Sequence, residues 1–256
     1  MTPRRAALLA ALLAVPAAPA ARAETLVAAL STPLVSVTSN FAGTDVTVFG
    51  SIAPDHGKAA PAKGYEIAVV IDGPHRGVLV RRKERIAGVW VNRAGRLYPT
   101  VPMFRAVAST LPLAMIARPD ELRRLDLGFS DMRLGDEATA ADGEAKDFRE
   151  AIVRVEKARG LYADYPTSVS FLGDQLFATS IPIPAEVPVG HYEARVVAFA
   201  DGRVVASRTI DLLVHKTGFE QVVADLAAQR PVLYGALSVA IALLTGWIGG
   251  VLFRRD

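Results

Sequence analysis

Five cations crowd ten positions of the chain, Arg76, Arg81, Arg82, Lys83 and Arg85, within HRGVLVRRKERIAGVW, and Trp90 closes the stretch. In an extended chain alternate residues share a face, so Arg81, Lys83 and Arg85 are expected to point together and Arg82 to point away. Three uses fit such a row. A solvated edge strand guards itself against unwanted pairing with Lys and Arg, which is the ordinary use. A row of cations also docks on anionic lipid or on an acidic partner, and three donors near a ring can hold a small oxyanion through charge-assisted hydrogen bonds. Trp90 itself is expected in a core rather than on a ligand platform, because AGVWVN alternates as a half-buried strand does.

Little else in the chain has the spacing of chemistry. His56, His75, His191 and His215 are scattered, with no pair at the i, i+4 spacing of a helical metal site. There is no G-x-S-x-G elbow, no P-loop and no Rossmann glycine pattern after a strand. Ser109, in VAST, has no histidine context and reads as a turn or capping serine, and the acids of GDQLF and DGEAKDF read as turn and helix-start residues. Cysteine is absent, which removes disulfides, thiolate nucleophiles and cysteine metal sites. The chain is therefore expected to be non-enzymatic, with no cofactor and no bound metal.

A second constellation lies near the C-terminus. Val232 to Phe253 runs 22 residues without a charge, about 33 Å of helix and enough to cross a bilayer. Along it Ser238, Ala242, Gly246 and Gly250 recur every four residues, and GWIGG holds a G-x-x-x-G. Such a stripe lets another helix approach closely, in a homodimer or on a polytopic partner, although alanine and glycine are also simply common in spans.

The ends place these features. MTPRRAALLAALLAVPAAPAARAE has a basic start, an apolar core from Ala6 to Val15 and small residues at Ala21 and Ala23, the pattern of a secretory signal peptide over 1–23. Its ten apolar residues reach only about 15 Å, half of a roughly 30 Å hydrocarbon core. The net charge of +3 resides in that segment: residues 24–256 hold 26 basic and 26 acidic residues. Nothing global then points to nucleic acid. Export of the N-terminus and Arg254 and Arg255 after the span both put the stub 254–256 in the cytoplasm and the body outside, in the periplasm of a bacterium.

The body, 24–216, reads as mainly β. TDVTVFGSIAP alternates inward Val46, Val48 and Gly50; GYEIAVVIDGP is a β-rich run ending in a turn signal; RIAGVWVNRAGRLYP is strand, glycine turn and short strand. Asp201-Gly202 suits a tight type I′ turn between two long strands. An antiparallel sheet is the economical reading. Helical patterns from about 118 to 162, with Phe148, Ile152, Val155 and Ala158 or Arg159 on one face, predict an insert. Residues 217–231 read as a short amphipathic helix with Thr217 and Glu220 as a capping box, broken by Pro231 before the span. VPVGHY resembles the approach to the penultimate strand of immunoglobulin-like sandwiches, so one sandwich domain with an insert is expected, at the level of fold alone.

The ordered set VFGSIAP, VVIDGPHRGVLVRRKERIAGVWVNRAG, VPMFRAVASTLPL, GLYADYPTSVSFLGDQLFATSIPIPAEVPVGHYEARVVAFADGRVV and LYGALSVAIALLTGWIGGVLFRR resembles the alphaproteobacterial putative transmembrane protein family (Alph_Pro_TM-like) over essentially the whole chain after residue 23. No single segment of it is a catalytic signature. The resemblance implies an exported protein with one C-terminal span and no assigned activity, and a sulfite-exporter-type permease as partner. Two functions remain: an accessory subunit of such a membrane partner, or an anchored module that binds a small anion or an envelope component.

Overall fold

A computed structural model describes residues 24–38, 41–54, 61, 63–130, 132–135, 143–217, 223 and 226–252. Residues 1–23, expected as a signal peptide, residues 136–142 and seven of the fifteen residues expected to form the juxtamembrane helix, 218–222, 224 and 225, lie outside these, as does the stub 254–256. Among the described residues the chain runs β1 (Thr25–Leu30), β2 (Leu34–Val37), β3 (Thr44–Ala53), β4 (Glu66–Asp72), β5 (His75–Ile86), β6 (Val89–Pro102), β7 (Arg105–Ser109), α1 (Leu113–Ile116), α2 (Pro119–Leu125), α3 (Gly143–Ala158), β8 (Tyr162–Pro166), β9 (Ser170–Phe171), β10 (Leu176–Ile183), β11 (Gly190–Ala200), β12 (Arg203–Lys216) and α4 (Pro231–Leu252). The fold is mainly β with one apolar C-terminal helix, as the sequence leads one to expect.

The strands form a sheet of four, in the order β1-β3-β10-β9, and a sheet of six, in the order β2-β12-β11-β4-β7-β8. Val46, Val48 and Ile52 of β3 and Phe177 and Ile181 of β10 join Ile67, Val69 and Ile71 of β4 and Val196 of β11 in one buried cluster, so the two sheets share a core. The period-2 pattern of β3 dictates this: its apolar residues and Gly50 face inward while Phe49 faces out. Gly50 is there because β1 passes close by. A Cβ at this position would lie 2.3 Å from the Val27 carbonyl oxygen and 2.7 Å from the Phe177 ring.

β11 and β12 make the expected hairpin, turning at Asp201 and Gly202, both with positive φ (49° and 77°), as a type I′ turn requires. The sheet of six is not wholly antiparallel, contrary to the expectation. β2 runs parallel to β12, and β8 parallel to β7, because the helices between β7 and β8 carry the chain back over the sheet before it re-enters beside β7.

Those helices begin earlier than expected, at Leu113, and α3 ends at Ala158. α1 and α2 close the outer face of the sheet of six, where Ile116, Leu127 and partly buried Leu122 pack on Ala68, Val70, Val107, Val197 and Phe199. Pro119 opens α2 at a position where its missing N–H costs nothing. The buried face of α3 is Ala145, Phe148, Ile152 and Glu156; Val155, expected on that face, is 47% exposed. The helix repeats every 3.6 residues, so a contact row running 148, 152, 156 turns away from 155, which lies about 60° from 152 and about 100° from 156. Glu156 takes the buried place by pairing with Arg159, 3.3 Å away.

At the C-terminal side, residues 226–229 are helical and the Tyr234 N–H donates to the Arg230 carbonyl at 3.0 Å. Pro231 therefore separates this turn from α4 by starting the new helix. Thr217, expected to cap a helix, donates its N–H to the Val37 carbonyl and prolongs the pairing of β12 with β2.

Candidate interaction surface

β5 and β6 pair only with each other among the described strands, as a two-stranded ribbon of 12 and 14 residues outside both sheets. The ribbon turns at Ala87 and Gly88, both at positive φ, and β6 runs on through the second glycine of the segment, Gly95, without turning. Its base has one covered face. Val78, Val80, Tyr98 and Val101 pack against Phe148 and Ile152 of α3, and Tyr98 donates its hydroxyl to the Ala145 carbonyl at 3.0 Å. Arg82 belongs to this side, 3.0 Å from Asp147 and 5.1 Å over the Phe148 ring. It is thus a clamp holding ribbon to helix.

Arg81, Lys83 and Arg85 lie on the opposite face, all exposed, as the alternation requires. Neither Arg81 nor Lys83 has an ion pair among the described residues, and Arg85 donates weakly to the Gly88 carbonyl, at 3.4 Å. Trp90 is not in a core: it is 65% exposed and stands directly across from Arg85 on the partner strand. The alternation of AGVWVN is real, but among the described residues nothing covers the tip of the ribbon, where Val89, Trp90 and Val91 are all exposed, so alternation there carries no burial. Ile86, Val89 and Val91 are exposed around the same tip, and Leu79 and Leu97 form an exposed cross-strand pair nearer the base. Cations, a tryptophan and aliphatic residues thus share one projecting surface.

The second constellation is on α4. Ser238, Ala242, Gly246 and Gly250 are exposed, and a Cβ added at Gly246 or Gly250 would meet no atom within 4 Å. The Ser238 hydroxyl donates to the Tyr234 carbonyl one turn back, at 2.9 Å, so this polar group is satisfied within the helix.

Two groupings escaped sequence reasoning. His191 and His215 reach the same outer face at the β11–β12 edge, since Leu213, paired with His191, is two residues from His215, and both border a cleft of about 500 Å³ with Lys216. Arg105 is buried beneath α2, where its guanidinium meets Asp72 and Asp126, and the Asp126 carbonyl accepts from both Arg105 and Arg195. Burial pushes the Asp72 carboxyl up, and Arg105 opposes that shift. Asp126 takes a left-handed conformation (φ 53°) as the C-cap of α2, and its carboxylate also accepts the Arg133 N–H. This network ties β4, β7 and β11 to the helices. The signal was present in the lone Arg of the apolar strand RAVAS, but its partners are 33 and 21 residues away. A neighbouring cleft of about 330 Å³ is bordered by Arg123, Asp126, Lys157 and Asp164. Burial raises the Asp164 pKa and Lys157 lowers it. Lys157 itself sits 4.5 Å over the Phe129 ring.

The body is built mainly of β-strands, and among the described residues one helix, α4, carries a stretch of 20 residues, Pro231–Gly250, that is long and apolar enough to cross a membrane; together they point to a membrane-anchored β protein. The family model described as "Putative transmembrane protein (Alph_Pro_TM)" matches residues 25–255, and the chain belongs to that family. No curated protein matches it.

Proposed function

We propose that the chain is an interaction subunit of a membrane partner and performs no catalysis. An exported immunoglobulin-like β-sandwich domain is held in the bacterial inner membrane by α4, with the body in the periplasm and 254–256 in the cytoplasm. Removal of 1–23 as a signal peptide is supported by the start of the family match, at residue 25. The sandwich reading draws on the shared core of the two sheets and on Tyr192, whose buried hydroxyl donates to the Pro188 carbonyl four residues upstream at 2.5 Å, as a tyrosine corner does at the penultimate strand.

The observation that carries the subunit reading is the four-residue spacing of Ser238, Ala242, Gly246 and Gly250, small residues on one stripe of α4 that let another helix approach closely. The partner implied by the family resemblance is a polytopic permease of the sulfite-exporter type. The test is purification of the full chain from native membranes in mild detergent, with mass spectrometry, comparing wild type with Gly246→Ile, Gly250→Ile. A polytopic transporter recovered with wild type and lost with the variant is expected. Equal recovery with both, or recovery of the chain alone, overturns the helix-docking reading.

A second reading is favoured by the shared exposed face of Arg81, Lys83 and Arg85. In it the body is an anchored module that binds a small anion or an envelope component, and charge reversal at Arg81 and Lys83 abolishes binding while the glycine substitutions do nothing.

A further inference from the structure

The charge of this protein is concentrated on the ribbon. Residues 75–102 carry seven basic residues and one acid, Glu84, whereas the rest of 24–256 carries nineteen basic residues and twenty-five acids. Glu84 is occupied, with its carboxylate 3.4 Å from Arg93. The same ribbon ends in exposed apolar groups: Ile86, Val89, Trp90 and Val91 surround the Ala87-Gly88 turn, and Val89 is 63% exposed. An edge strand protected only by charge would have no use for an apolar, aromatic tip, and isolated exposed aliphatics would not cluster at one turn.

We propose that the tip of the β5–β6 ribbon inserts into the surface of an anionic bilayer, with Arg85, Lys83 and Arg81 on lipid phosphates behind it. At about 3.3 Å per residue, those three cations lie roughly 3, 10 and 17 Å behind Ile86 along the strand. Interfacial elements bury their apolar side about 5–10 Å deep, which carries the turn, Trp90 and the Arg85 backbone opposite it to the headgroup boundary, from where the long Arg85 side chain reaches back to the phosphates, and leaves Lys83 and Arg81 at or above phosphate level. An indole at that depth is where tryptophan is enriched in membrane proteins.

A bilayer is favoured over an acidic protein because the chain is already fastened to one. Fourteen residues, 217–230, separate β12 from α4, about 21 Å of helix if fully wound. The tip therefore meets lipid at the high effective concentration of a tethered ligand and need not compete for it. The charge is complementary to anionic headgroups, and Arg82, which faces α3, is spent on holding the ribbon upright. The surface is separate from the stripe on α4, so the proposal and the helix-docking reading fail independently; the small-anion reading draws on the same three cations.

The test uses the chain's own reporter. Trp90 and Trp247 are its two tryptophans, so the full-length Trp247→Phe variant leaves Trp90 as sole tryptophan, excited at the red edge of the indole band where tyrosine does not absorb. It is reconstituted, one chain per nanodisc, in phosphatidylcholine alone and in phosphatidylcholine with about 30% phosphatidylglycerol, with bromine-labelled acyl chains as quenchers. The expected result is a blue-shifted Trp90 emission that bromolipid quenches by about half in the anionic discs, reversed by high salt and by Arg81→Glu, Lys83→Glu, Arg85→Glu. Those cations are exposed, so the triple variant keeps its fold, checked by circular dichroism. Solvent-exposed emission in both lipids overturns the proposal and leaves the tip to a protein partner. A blue shift without bromolipid quenching overturns it also, because the indole is then shielded by protein. Quenching that free phosphate abolishes but matched chloride ionic strength does not assigns the cations to a small anion and overturns the lipid assignment.

Discussion

Arg105 and Asp72 face each other across β7 and β4, with Arg105 Nη1 3.1 Å from Asp72 Oδ1, on the side of the sheet that α1 and α2 cover. The arginine side chain is 1% exposed and answers Asp126 as well, with Arg195 as a second cation that reaches the Asp126 carbonyl. Removing Arg105 takes away the ion pair that both carboxylates share. Arg105→Met is expected to cost about 3–5 kcal/mol of stability. Arg105→Lys should fall between, since it restores charge without the planar fork. Denaturant unfolding of the full chain in detergent measures both, and wild-type stability in Arg105→Met would sink the assignment.

Gly50 marks the closest approach of β1 to β3. A methyl group there would meet the backbone oxygen of Val27, which paired strands cannot move aside. Gly50→Ala is expected to lower stability by about 1–3 kcal/mol, the usual cost of overpacking. Gly64→Ala, where no atom lies within 4 Å of the added carbon but φ is +77°, serves as a comparison in which backbone strain acts alone. If the two melt together, the steric account of Gly50 is wrong.

Alkaline pH should unfold the body. Burial, with a hydrogen bond to Glu24, pushes the Tyr65 phenol up to about 12, and burial likewise raises Tyr162 and Tyr192. An unfolded tyrosine ionises near about 10, so the folded state holds the proton more tightly. The stability this supplies is complete below pH about 10 and is lost as pH rises through the folded values. Tyr65→Phe cannot ionise at that position, so the stability difference between wild type and Tyr65→Phe should shift in favour of the variant from pH about 10 upward. A difference independent of pH would show that Tyr65 titrates in the fold as it does in water.

Much of this protein was legible one residue at a time. A run of 22 uncharged residues is a membrane-crossing length in any context, because hydrocarbon rejects charge whatever the rest of the chain does. The Asp201-Gly202 turn was equally local: two positive φ angles admit few residue pairs, and these are among them. The common face of Arg81, Lys83 and Arg85 followed from the geometry of a strand alone.

What covers a face is another matter. Trp90 was expected to be buried because its strand alternates, and the structure leaves it exposed because β5 and β6 join neither sheet. Alternation says that a strand has two sides; only packing says which side meets a neighbour. The parallel return of β8 beside β7, the drift of Val155 out of the α3 contact and the meeting of Arg105 with Asp72 and Asp126 were decided in the same way. Sequence by itself determined the anchor, the turns and the sidedness of strands, which depend on backbone sterics and transfer out of water. Tertiary structure alone decided which charges are spent inside the fold and which apolar groups remain at its tip, because both depend on contacts between residues far apart in the chain.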